Sequence, residues 1–304
     1  MKGVEVAVAD PIEPVDKLDK RPAVKDLIQE HRSAIDAVAK ELKSDALFDP
    51  SKHDDLWILR FVLSHCKSKK KTTDKTLAKA VAAAKATLVF RKEHKLDDED
   101  LRPHVPSARA THPLAKDMSK YLSLCADDAM VVCIPDKRRG PVSFIQYMSI
   151  DQEAVVEQMD ESRWMPAFLF PNEFLHQWLD YTTRTTGRLT KNVRLVGMEG
   201  AKLGSVNSEH ERRNSKAMSV MEDCYPQLLQ AIFVCDPPTW ILAFWRVVKV
   251  FFPKRVKEKF DFISPKANEK ERRTLLKYIS KENLPSKFGG ERTEWPVQFP
   301  LPDI

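Results

Sequence analysis

Cys224–Phe260 reads CYPQLLQAIFVCDPPTWILAFWRVVKVFFPKRVKEKF, and the fold turns on how this stretch divides. Tyr225-Pro226 makes a corner, and a short apolar run, Leu228 to Val234, follows it. Pro237-Pro238 cannot sit inside a helix or a central strand, so they end that run and mark a junction. Beyond them Trp240, Ile241, Phe244, Trp245, Val248, Phe251 and Phe252 recur at helical spacing, interrupted by Arg246 and Lys249. Pro253 stops the helix, and the cations Lys254, Arg255, Lys257 and Lys259 come straight after it. A buried strand feeding a greasy helix with cations at its far end describes a door on an apolar cavity. It also describes an ordinary core helix, and periodicity alone does not separate the two.

Strand and helix alternate on either side of this stretch. Val193 to Met198 is strand-like, a turn EGAKLG follows, and a helix is predicted from Ser205 to Asp223. Downstream come a short strand, Phe260 to Ile263, a helix over Glu269 to Lys281, and the loop ENLPSKFGG. That alternation implies parallel pairing with crossover helices. Upstream, Met130 to Ile134 and Pro141 to Met148 read as strands joined by the turn PDKRRG. Asp151 opens a long helical region to about Arg184, which Pro166 and Pro171 are expected to split.

Nearer the start the pattern is helical throughout. Val24, Leu27, Ile28, Ile35, Val38 and Leu42 form one stripe. Asp54-Asp55 supply N-terminal acids for LWILRFVLSHC, and Asp74 is the expected N-cap of an alanine-rich helix ending at LVFRKEH. The expected layout is a flexible tail at 1–22, a helical bundle at 23–102, an α/β domain at 103–291 and a C-terminal extension at 292–304.

At 304 residues, 42% hydrophobic and 31% charged, the chain is globular. A net charge of +6 suits visits to an anionic membrane surface and falls short of a nucleic-acid signature. Five scattered cysteines without a CxxC argue for reduced thiols rather than a disulfide framework or zinc site. The first residues lack an apolar signal core, and no apolar run reaches the roughly 18 residues of a spanning helix, so a soluble, cytoplasmic monomer is expected. The histidines form no HExxH, and there is no GxSxG elbow or GxxxxGK[ST] loop. GMEGAKLG at 197–204 is not GxGxxG and reads as a tight strand-to-helix turn. Nothing argues for an enzyme, a metal or a cofactor.

Several segments together resemble the CRAL-TRIO lipid-binding and transfer proteins. ILRFVLSHC (58–66) resembles the LLRFLRAR segment of that family, LVFRKEH its W-R-K helix, RRGPVSFIQY its DGRPV strand and VRLVGMEG its strand ending in D-x-x-G. Cys224 to Phe252 is similar to its YPE block, and ENLPSKFGG to its terminal LP-x-x-[YF]-GG. The resemblance implies a bundle followed by a sheet-floored apolar cavity under a mobile helical gate. The expected contents are one phospholipid, with a phosphoinositide, sterol, retinoid, tocopherol or haem as further readings of the same pocket. Residues expected to line it are Phe144, Tyr147, Trp164, Phe168, Phe170, Phe174, Trp178, Trp240, Phe244 and Val248. Trp245, Lys249, Phe251, Phe252, Lys254 and Arg255 are the expected gate and membrane contacts. A scaffold whose pocket is plugged by Trp178 and Trp240 is the alternative.

The departures from the family pattern fall at the headgroup. In phosphatidylinositol-transferring members a basic pair after the LRF segment, the Glu of YPE and a Lys beyond the gate handle the inositol phosphate. Here those positions read His65 and Cys66, Gln227, and Lys259. The hydroxyls that hold phosphatidylcholine in some members correspond to Asn192 and Arg194, and the D-x-x-G acid is Gly197. The headgroup candidates are therefore Lys259, Arg194, Gln227 and His65, with His65 also the candidate haem ligand.

Overall fold

The computed structural model describes residues 8–14, 17–66, 72–136, 138–248, 257–264 and 272–296, and for 244, 247 and 248 the backbone alone. Three helices open the fold: α1 (Val24–Leu42), α2 (Asp55–His65) and α3 (Asp74–Glu93). The α1 stripe buries Val24, Ile28, Ile35, Val38 and Leu42 against α2, whose residues Leu56 to Val62 are all buried. Asp54 caps α2 by accepting from the Trp57 amide at 3.0 Å. On α3 the cap is Thr73 rather than the expected Asp74. The Thr73 hydroxyl accepts from the Thr76 amide while the Thr76 hydroxyl accepts from the Thr73 amide, and Asp74 is the first helical residue. Ala80 and Ala84 are fully buried and let α3 approach closely.

The long helical region does not break at its prolines. α5 (Gln152–Gln158) is capped by Asp151, a 3-10 turn follows at Glu161–Arg163, and α6 runs unbroken from Trp164 to Thr186. Pro166 sits in the first turn, where its missing N–H has no intrahelical partner to lose. Pro171 lies inside α6 and deprives the Ala167 carbonyl of its helical donor; the Asn172 side-chain amide donates to the neighbouring Phe168 carbonyl at 2.7 Å.

The sheet has the order β1-β2-β3-β4-β5, with β1 (Met130–Cys133), β2 (Val142–Gln146), β3 (Asn192–Gly197), β4 (Leu229–Cys235) and β5 (Phe260–Ile263). β1 and β2 are antiparallel, and every later pairing is parallel. The crossovers use α6, α7 (Ser208–Cys224) and α8 (Thr239–Val248), with α4 (Lys116–Ser123) packed against α6. The architecture is thus mixed α/β with a largely parallel sheet, as expected. Of the helix expected over Glu269 to Lys281, residues 269–271 lie outside the described residues, Arg272 is helical, and a 3-10 turn, Leu275–Lys277, follows it. Leu275, Ile279 and Leu284 are buried against the sheet.

Strand alternation divides the core. On one face Val142, Phe144, Val193, Leu195 and Phe233 pack with Leu275, Ile279 and Phe288. The other face carries Ile145, Arg194, Val196, Ile232 and Val234 towards α6 and α8.

Candidate functional site

That second face floors a cavity of about 390 Å³. Met118, Tyr121 and Leu122 of α4 and Ala167, Phe168 and Pro171 of α6 form one wall. Ile241 and Trp245 of α8 form the roof, closed by Phe260 and Phe262 of β5. The Trp245 ring lies 4.8 Å from that of Phe260, centroid to centroid. Apolar side chains dominate the lining, and the few polar groups stand out.

One of them is Arg194. The strand pattern carries its guanidinium to the cavity side, where Nε has no hydrogen-bond partner and no carboxylate among the described residues pairs with it. Burial pulls its pKa below the ordinary value. Glu199, the partner a surface arginine on this strand would find, is exposed and unengaged with it. The second polar feature is a chain of bonds in the wall. The Tyr121 hydroxyl meets His210 Nε2 at 2.9 Å, His210 Nδ1 meets Glu211 Oε1 at 3.1 Å, and the Tyr147 hydroxyl donates to the same carboxylate at 3.0 Å. His210 is fully buried, and these bonds hold the Glu211 carboxyl below the usual range, His210 contributing most. Gly197 stands where the family acid would be because the Gln146 side chain occupies its side-chain space: a Cβ there would sit 1.7 Å from Gln146 Oε1.

Of the expected lining residues, the structure brings Tyr147 and Phe168 to the cavity, together with Arg194 and Trp245 from the other sets. Phe144 points to the opposite face, stacked on Phe288 at 5.9 Å, because it alternates with Ile145 along β2. Trp164 and Phe170 face α4 in the core behind the wall. Phe174 and Trp178 lie further along α6, where the helix packs on Val132 and Ile134. Trp240 packs beside the roof with Met198 and Val234, its indole N–H donating to the Ala201 carbonyl. Phe244 and Val248 side chains, and Lys249, Phe251, Phe252, Lys254 and Arg255 entirely, lie outside the described residues.

The remaining headgroup candidates gather away from the cavity, where the parallel strands begin. Gln227 precedes β4 with φ of 63° and donates to the Ser64 hydroxyl at 3.0 Å; His65 ends α2 beside it. The Lys259 carbonyl, just before β5, accepts from the Ile232 amide at 2.7 Å. Lys191, just before β3, joins this group: burial first, then Lys259 and Arg60, push its amine down to about 8. No sequence motif announced Lys191; only the strand order places it beside Lys259. His65 is not at the cavity, and among the described residues no group of three or more His, Cys, Asp or Glu side chains is placed to hold a metal.

A second, polar cavity of about 520 Å³ separates the bundle from the sheet domain, lined by His53, Arg91, Asp97, His176 and Asp180 among others. Several of the charges at and behind its wall are paired. Glu173, fully buried, takes two bonds from Arg91 (3.0 and 3.1 Å), one from the Tyr225 hydroxyl (2.9 Å) and one from Gln177 (3.0 Å). Arg60 and Arg184 share Asp180. Tyr225 of the Tyr-Pro corner is thus an anchor on α6.

The model of the CRAL/TRIO domain matches residues 127–290, more than half of the chain. Among curated proteins, Patellin-5 of Arabidopsis thaliana is 33% identical over 51% of this chain and 23% of its own length. Patellin-3 of the same plant is 24% identical over 69% of this chain and 39% of its own length. The chain therefore spans well under half the length of these relatives. The solved structure of Sfh5 superposes with a TM-score of 0.53 at 13% identity, covering 93% of this chain and 90% of that one, a likeness of fold.

Proposed function

The chain belongs to the CRAL/TRIO domain family, and on that premise we propose that it binds one lipid in the cavity beneath α8 and carries or presents it, without chemistry on the ligand. The observation that carries the reading is the cavity itself, apolar, about 390 Å³ in volume and roofed by a helix whose inner residues are Ile241 and Trp245. Each methylene moved from water into such a space gains roughly 0.8 kcal/mol, enough over an acyl chain to hold a lipid without a covalent bond. Arg194 meets the acid group of that lipid; a guanidinium in an apolar chamber is costly until an anion joins it. α8 is the gate, and it meets β5 through the Trp245 ring against those of Phe260 and Phe262. Lys191, Lys259 and Gln227 at the strand entries suit a second phosphate or an anionic membrane surface, and the cationic run 254–259 continues that surface in sequence.

One observation favours the carrier over the plugged scaffold. Trp178 and Trp240, the side chains that would fill the pocket, both pack outside it. No helix among the described residues is long and apolar enough to cross a membrane.

The test is native mass spectrometry of the purified chain, followed by solvent extraction and identification of what is released. A stoichiometric glycerophospholipid or other acidic lipid is expected. A sterol, retinoid or tocopherol-like molecule would keep the carrier and remove Arg194 from its role. A bare protein that also takes up nothing from fluorescent vesicles would overturn the proposal.

A further inference from the structure

The bond chain in the cavity wall has a definite polarity. The Glu211 carboxylate can only accept, so with the ring neutral the His210 Nδ1 carries the proton and Nε2 is an acceptor. Tyr121 must then donate its hydroxyl proton to Nε2, leaving its oxygen as an acceptor. Nothing else among the described residues bonds the Tyr121 oxygen. Tyr147 is the other hydroxyl of the bond chain, and it donates to Glu211. The cavity therefore carries a donor-only cation, Arg194, and an acceptor backed by a carboxylate, Tyr121. Trp164 stands edge-on to His210 at 5.6 Å and donates its indole N–H to Asn214, which fixes the ring from behind.

We propose that Tyr121, oriented by His210 and Glu211, accepts a hydrogen bond from an N–H ammonium on the ligand whose acid Arg194 holds. The favoured cargo is a zwitterionic phospholipid with a primary ammonium, of the ethanolamine type. Quaternary ammonium headgroups carry no N–H and leave the Tyr121 oxygen buried and unanswered, which is the arrangement polar sites discriminate against most strongly. This inference rests on the carrier reading above and adds the identity of the headgroup to it.

The experiment offers the full chain vesicles holding pyrene-labelled phosphatidylethanolamine and phosphatidylcholine of identical acyl chains, and measures the ratio loaded. The ethanolamine lipid should exceed the choline lipid by about tenfold, the effect of one charge-assisted hydrogen bond. Tyr121→Phe should bring that ratio close to one. Glu211→Gln should also lower it, and because Glu211 is partly exposed that variant tests the polarity without disturbing the core. Arg194→Met should reduce both lipids together, since both carry a phosphodiester. Equal loading by the parent chain, or a ratio that survives Tyr121→Phe, would overturn the assignment and leave the carrier standing. Loading of neither lipid would overturn both.

Discussion

Arg194 is a cation that no carboxylate among the described residues answers. An unpaired buried charge is paid for by the fold and is kept only where something else gains from it. Arg194→Met should therefore raise the resistance of the ligand-free chain to urea by about 1 kcal/mol or more, while loading of an acidic lipid falls at least about tenfold. Lower stability together with unchanged loading would make Arg194 a structural residue. The strand VRLVGM was legible in sequence, and so was Arg194 as a candidate. Its partnerlessness was not, because that depends on which groups α4, α6 and α8 bring opposite it. Phe144 shows the same limit from the other side. Nearly every residue of VSFIQ is buried, so apolar character did not say which face met the cavity, and the larger side chain belongs to the closed face. Tyr121 and His210 carried no signal at all, being 89 residues apart with no shared motif.

At the scale of elements, the Cys224–Phe260 stretch divides much as its prolines indicate. β4 ends at Cys235 and α8 begins at Thr239, directly after Pro237-Pro238. α6 is the instructive failure. Pro166 was harmless in a first turn and Pro171 was tolerated within the helix, so residue type alone could not locate the break that falls at 159–163. Pro171 then lines the cavity. The roof depends on Trp245, whose ring lies against Phe260 and Phe262. Trp245→Ala should speed release of a preloaded fluorescent lipid roughly tenfold in a stopped-flow dilution, because truncating a large packed aromatic acts mainly on the off-rate. An unaltered rate would place the exit elsewhere.

For the molecule as a whole, the joint between the bundle and the sheet domain sets an ionic cluster, Glu173, Arg91 and Tyr225, beside an apolar seam of Phe90 and Leu96 on Leu169 and Met221. Burial pushes His176, beside this joint, down to about 4 from 6.5, and lowers His53 for the same reason. Below pH 6.5 protons therefore go preferentially to the unfolded chain. The stability is complete above that pH and drains away as pH falls towards 4, by about 2 kcal/mol between pH 7.5 and 5. Urea midpoints at those two pH values should show the loss, and His176→Gln should remove most of it; a parent curve that is flat would mean the ring is solvated. The cavity has a consequence beyond transport. An empty apolar space of about 390 Å³ forfeits the contacts that a lipid would make, so the unloaded chain is less stable than the loaded one. Ligand adds stability in proportion to the logarithm of its free concentration. A chain that has just delivered its cargo is then the one most exposed to proteolysis, and the lifetime of the protein follows the supply of its lipid.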